Sequence, residues 1–260
     1  MAVKAPRYDA PDAAAPSWTG FYLGASLGAK EANADWTTTS FANPFAPPGA
    51  FVVDGSSPAD YRPSAGRFGG FLGYDLQIDP RWIVGLEADA TYSDRTTAIA
   101  GIPGCIISCI GTPGPSADAS SVTIRWDASA RGRVGYLVSP NLLIYGTGGI
   151  AWQSIQDSAT CQNGLADAVC PGIAGEPFST VTNKTIRTGW TVGGGIDARV
   201  YGNWMLRGEY RYSDFGTWNN AFALGPAPFT TTVSTQLKID TQIALVGIIY
   251  KFGNPVVDRP

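Results

Sequence analysis

Thirteen charged side chains recur at two-residue spacing inside otherwise apolar stretches: Arg67, Asp75, Glu87, Asp89, Arg125, Asp127, Arg131, Arg133, Asp197, Arg199, Arg207, Glu209 and Arg211. Paired carboxylates such as Glu87 and Asp89 are the groups that cleave glycosidic bonds by acid/base chemistry. Here, however, the set holds seven arginines against six carboxylates. Planar guanidinium groups bind carboxylates in bidentate pairs and favour enclosed sites over solvated ones. The pattern therefore points to salt bridging inside a closed space, with no catalytic residues. Histidine is absent from the 260 residues. That removes Ser-His-Asp and Cys-His nucleophiles and every His-ligated metal.

Other candidates for chemistry are weaker. Four cysteines form two close pairs, Cys105 with Cys109 and Cys161 with Cys170. Neither pair has the redox CxxC spacing or a zinc-ligand partner set, so disulfides in an oxidising compartment are expected and no metal or cofactor is. The glycines at 193–195 lie inside a strand pattern and precede no helix, which separates them from phosphate-binding loops. Net charge is −3, with 18 basic and 21 acidic residues, so there is no basic footprint for nucleic acid.

Most of the charged set lies on strands, and Arg81 to Arg95 is the clearest of them. Trp82, Val84, Leu86, Ala88, Ala90 and Tyr92 share one face; Glu87 and Asp89 share the other. Alternation at period two marks a β-strand with an apolar and a polar side. At a rise of roughly 3.3 Å per residue, Trp82 and Tyr92 stand about 33 Å apart. Tilting by about 40° projects this to about 25 Å, the height of the lipid-facing band between the aromatic girdles of a membrane barrel. Trp126 and Tyr136 repeat the ten-residue spacing, and Trp190, Trp204 and Tyr212 occupy strand-end positions on the same side. Charged residues make up 15% of the chain, against roughly 25% in soluble domains. No apolar run approaches the length of a membrane helix.

Eight such strands are expected between Trp18 and Phe252, with turns at Asp79-Pro80, Ser139-Pro140-Asn141 and Tyr201-Gly202-Asn203. Residues 31–62, 96–121, 157–183 and 216–234 have loop composition. Long loops at one end and tight turns at the other describe an all-β, eight-stranded antiparallel transmembrane β-barrel with extracellular loops and periplasmic turns. Residues 1–17 read as a flexible Pro/Ala-rich periplasmic lead, 18–252 as the barrel and 253–260 as a periplasmic tail. The opening stretch has no basic-then-apolar leader pattern, which fits either a cytoplasmic chain or a mature form with an added initiator Met; the strand alternation favours the second. Acidic residues of the expected loops (Glu31, Asp35, Asp54, Asp60, Asp157, Asp167 and Glu176) suggest divalent-cation binding, or simply solubility. A soluble lipocalin-like barrel would carry the opposite alternation, with apolar residues inside. The arginine-rich polar face argues for the membrane form, with the polar face in a lumen just wide enough for side chains.

Three stretches resemble a known family: Trp18-Thr19-Gly20-Phe21-Tyr22, Arg131-Gly132-Arg133-Val134-Gly135-Tyr136 and Tyr250-Lys251-Phe252, together with the MAVKAP lead. They resemble the alphaproteobacterial outer-membrane immunogenic proteins, small porin-like barrels. The resemblance implies a non-enzymatic, surface-exposed barrel in the Gram-negative outer membrane that supports membrane integrity. Expected partners are outer-membrane lipid, lipopolysaccharide and the barrel-assembly machinery, which would read Tyr250 and Phe252 as its signal. A narrow diffusion channel is the alternative role, and the residues leave the oligomeric state open.

Overall fold

Period-two alternation builds a single closed wall. The computed structural model describes residues 17–44, 52–106, 118–161, 179–227 and 230–252. Ten strands run in chain order: β1 Gly20–Ala42, β2 Ala59–Tyr61, β3 Ser64–Gln77, β4 Trp82–Tyr92, β5 Arg95–Ala100, β6 Ala119–Ser139, β7 Leu142–Cys161, β8 Ser179–Tyr201, β9 Trp204–Leu224 and β10 Thr231–Lys251. Eight of them form an antiparallel ring, β1-β3-β4-β6-β7-β8-β9-β10, which closes where Tyr22 of β1 pairs with Lys251 of β10. The short β2 and β5 add to β1 and β6 beyond the ring's end. From the periplasmic turns up to Trp190↔Asp214, closure leaves the ring without free edges, the condition a sheet must meet in hydrocarbon.

The three expected turns are present, and Gly202 supplies the positive φ of 53° that a side chain would resist. The expected long loops are corrected. Much of 31–62, 96–121, 157–183 and 216–234 is strand: β1 continues to Ala42, β7 reaches Cys161, β8 starts at Ser179 and β9 ends at Leu224. In these extensions the outward positions are mostly Ser, Thr, Asn, Asp, Gln and Lys, which reads as loop composition. The inward positions are Trp36, Tyr61, Ile155, Phe222 and Leu237, packed in one buried cluster. Trp36 stacks on Phe222 with ring centroids 5.1 Å apart.

A second apolar cluster closes the opposite, periplasmic end. Trp18, Ile83, Leu137, Leu143, Met205 and Ile249 are buried there. Trp18 is fully buried across the mouth, its indole N–H donating to the Pro140 carbonyl at 3.1 Å. Of the cysteines, Cys105 and Cys161 are buried at the far end and neither is a free thiol. Cys109 and Cys170 lie outside the described residues, as do most of the lead, the tail, Asp167 and Glu176.

The outer surface of the ring is apolar: Leu72, Leu86, Val134, Ile150, Val192 and Val246 all point outward, Leu86 at 73% exposure. The expected girdle residues Trp82, Tyr92, Trp126, Tyr136, Trp190, Trp204 and Tyr212 lie on this outer surface. They meet across strands: Trp82 with Tyr136 at 5.2 Å, Trp190 with Tyr212 at 5.5 Å and Trp204 with Tyr250 at 5.0 Å.

Candidate functional site

Between the two apolar clusters lies a charged layer. Cross-strand register sets its first pairs, because residues directly opposite each other project to the same side. Glu87 of β4 stands opposite Arg131 of β6, and Asp197 of β8 opposite Arg207 of β9. Arg131 bridges Glu87 at 2.5 Å and Glu209 at 2.8 Å. Arg207 grips Asp197 through Nε and Nη2 at 2.8 and 2.9 Å and reaches Glu87 at 2.5 Å. Arg133 meets Asp197 at 2.8 Å, and Arg211 meets Asp89 at 2.9 Å and Glu209 at 3.1 Å. Arg67 bonds Thr91 at 2.7 Å and Asp127 at 3.1 Å.

Two tyrosines extend the layer toward the periplasm. Tyr22 donates to Glu87 at 2.7 Å and accepts from Arg133 at 3.0 Å; Tyr145 donates to Glu209 at 2.7 Å. Their rings, with Phe71, also lie under the guanidinium groups: Arg133 is 4.0 Å from the Tyr145 centroid and Arg207 is 4.5 Å from that of Phe71. Such contacts help hold a cation away from water.

The balance of seven cations and six carboxylates stands, but two members change. Lys30 and Lys251 belong to the network: Lys30 bonds Asp127 at 2.8 Å and also Gln153, and Lys251 bonds Asp75 at 3.1 Å. Arg125 and Arg199 do not belong. Arg199 lies at the periplasmic rim over the Trp18 ring, 5.2 Å away, donating to the Ser17 carbonyl. Arg125 is exposed on the outer surface. The cause is a β-bulge: β6 places Arg125 and Trp126 against the single residue Ser154 between the pairs Ile124↔Ile155 and Asp127↔Gln153. Parity counted from Asp127 therefore holds at Trp126 and fails at Arg125, two residues away. Lys30 shares inward parity with Tyr22, so its signal was present in the first strand.

Every carboxylate of the layer is matched to a cation, and the space left among Phe71, Glu87, Asp89, Arg131, Arg207 and Glu209 is about 10 Å³. That is about the room of one water molecule. The arrangement can tie strands together across the lumen, and Arg131 contacts both Glu87 and Asp89.

Comparison with known proteins agrees with this geometry. A profile described as the outer membrane protein beta-barrel domain matches residues 8–252. The chain is 31% identical to the 25 kDa outer-membrane immunogenic protein of Brucella abortus, covering 95% of this chain and 86% of that one. It is 28% identical to the 31 kDa outer-membrane immunogenic protein of Brucella melitensis, covering 91% and 84%. Among solved structures, the outer membrane protease OmpT from Escherichia coli superposes with a TM-score of 0.54 at 13% identity, covering 90% of this chain and 97% of that one. This last likeness concerns the fold alone.

Proposed function

Since the chain belongs to the outer membrane protein β-barrel family and lies in the Gram-negative outer membrane, we propose that it is a non-enzymatic, structural barrel that strengthens that membrane without conducting solutes. The observation that carries this reading is the charged layer lying between two apolar clusters, where the gap among Glu87, Asp89, Arg131, Arg207, Glu209 and Arg211 is about 10 Å³. Planar-bilayer recording of the full chain tests it. The expected trace has no resolvable openings at either polarity, and stable unitary conductance would replace this reading with the narrow diffusion channel.

Partners follow from the surfaces. The outward apolar band takes lipid chains, the strand extensions above it meet lipopolysaccharide, and the barrel-assembly machinery reads Tyr250 and Phe252. In support, both aromatics face outward at the closing strand, 5.2 Å apart, and Phe252 N–H donates to the Phe21 carbonyl at 2.8 Å. Phe252→Ala should lower the fraction of chain inserted in the outer membrane severalfold, read by fractionation; unchanged insertion would remove the assembly role. We also assign disulfides within each close cysteine pair, Cys105 with Cys109 and Cys161 with Cys170. Peptide mapping without reduction would detect them.

A further inference from the structure

The bulge that turns Arg125 outward is held from both sides. Its carbonyl accepts from Ser93 Oγ at 2.7 Å and from Gln153 Nε2 at 3.3 Å, one from each flank of β6. Bulges of this kind re-aim a side chain. Here Arg125 is aimed at the layer directly above Trp126, Trp152 and Trp190, where the lipid headgroups of the outer leaflet lie. One row above, register aligns Thr123, Gln156 and Lys184 across β6, β7 and β8, with Lys184 exposed. Arg125 and Lys184 are two strand spacings, about 10 Å, apart across the sheet.

Charge is divided around the barrel at this height. Above the tryptophans, the outward positions of β6, β7 and β8 carry these two cations among Ser, Thr and Gln, and no carboxylate. On the other flank of β6, Asp94 and Arg95, next to the Arg95↔Ile124 pair, add one charge of each sign. On the far side, Asp35 pairs with Asp60, and Asp214 with Asp240, across β2, β1, β10 and β9. Glu31 adds to them, with only Lys238 and Arg62 opposing.

We propose that the outward face of β6, β7 and β8 binds a phosphorylated glycolipid of the outer leaflet directly, with Arg125 and Lys184 on separate phosphates. Ser154 and Gln156 between them present hydroxyl and amide groups to sugar hydroxyls, and Ile186 with the three tryptophans receives the roots of the acyl chains. The acidic far side lacks this capacity and meets the same lipid only through divalent cations. The proposal rests on the membrane-barrel reading and assigns one face of it.

The test folds the full chain into phosphatidylethanolamine vesicles containing a diphosphorylated glycolipid, the same glycolipid dephosphorylated, or phosphatidylglycerol. After extraction in EDTA, bound lipid is counted by native mass spectrometry. Wild type should retain the diphosphorylated glycolipid and neither of the others. R125Q/K184Q should retain it about thirtyfold less, the effect of two surface cations. D214N/D240N should behave as wild type in EDTA. Equal retention by R125Q/K184Q, or equal retention of phosphatidylglycerol or of dephosphorylated glycolipid, overturns the proposal. Heat-modifiable gel mobility of each protein reports barrel formation separately; a wild type without it refutes the membrane-barrel reading instead.

Discussion

The membrane band and the strand extensions above it are built from the same strands with opposite polarity. Along β1, Leu23 and Leu27 face outward in the band, while Lys30 at its top points into the charged layer; farther on, Asp35 faces outward and Trp36 is buried inside. Along β10, Val246 and Ile248 face lipid, and nearer the extracellular end Gln236 and Lys238 face water while Leu237 and Ile239 are enclosed. The solvent explains the reversal. Hydrocarbon outside rewards apolar outward residues, and the inside must then hold the polar ones. In water the hydrophobic effect returns apolar residues to the interior. The reversal falls at the row where Lys30, Asp127 and Gln153 meet. One ring is thus held together by an apolar core above this row and, below it, by ion pairs that rest on the smaller periplasmic apolar cluster.

This contrast is open to direct attack, most severely in the charged layer. Arg207→Leu takes from both Asp197 and Glu87 one of their two closest cations in a buried site, which costs about 4 kcal/mol. The expected result is loss of the folded band in heat-modifiable electrophoresis at temperatures the wild type withstands. An unchanged transition would show that the layer contributes little to the ring.

Outward substitutions sharpen the comparison because the same side chain should act differently in the two regions. Leu86→Arg, in the middle of the lipid-facing band, is expected to cost about 3 kcal/mol in urea unfolding from vesicles. Gln236→Arg, outward on the extension of β10, should stay within about 0.5 kcal/mol of wild type. Equal costs at the two positions would contradict the reversal of polarity.

The smallest effect concerns pH and belongs to the extension alone. The paired ladder between β8 and β9 stops at Trp190↔Asp214, where Gly216, with φ of 70°, bends β9 away. Beyond that point side chains tie β9 to its neighbours, Asn183 of β8 donating to the Ala221 carbonyl at 3.4 Å and Asn220 donating to Asp157 of β7 at 2.9 Å. Asp157, expected in a loop, is buried inside, and burial pushes its carboxyl from 3.8 up to about 6. The folded state therefore holds this proton more tightly than the unfolded chain. Stability is greatest below about pH 4, falls as pH rises toward 6, and is level above that. Asp157→Asn should raise the heat transition at pH 8, by about 2 kcal/mol in stability, and match wild type at pH 4. The same offset at both pH values would exclude ionisation as its cause.

Much of the band could be read from residues alone. Trp82 to Tyr92 has its girdle spacing and its inward carboxylates, and Arg131, Arg133, Arg207 and Arg211 all take their expected side. The extensions carry loop composition because the polarity of alternation that marks the band reverses where the bilayer ends. Phe222 among Asn and Ala, or Trp36 among Asp and Thr, looks like a stray aromatic until the opposing strand is known. Asp157, inward on such an extension, has the same cause for its loop-like surroundings in sequence.

Local alternation determined the strands, their lipid-facing side and the ion-rich interior, since each depends on neighbours two residues apart and on the medium they face. Closure of the ring decided the rest. It brought Lys251 beside Asp75 across 176 residues and Lys30 beside Asp127 across 97, and laid Trp18 over the periplasmic mouth. It also set the bulge that moved Arg125 from the interior to the surface, because a bulge exists only as a mismatch between two strands.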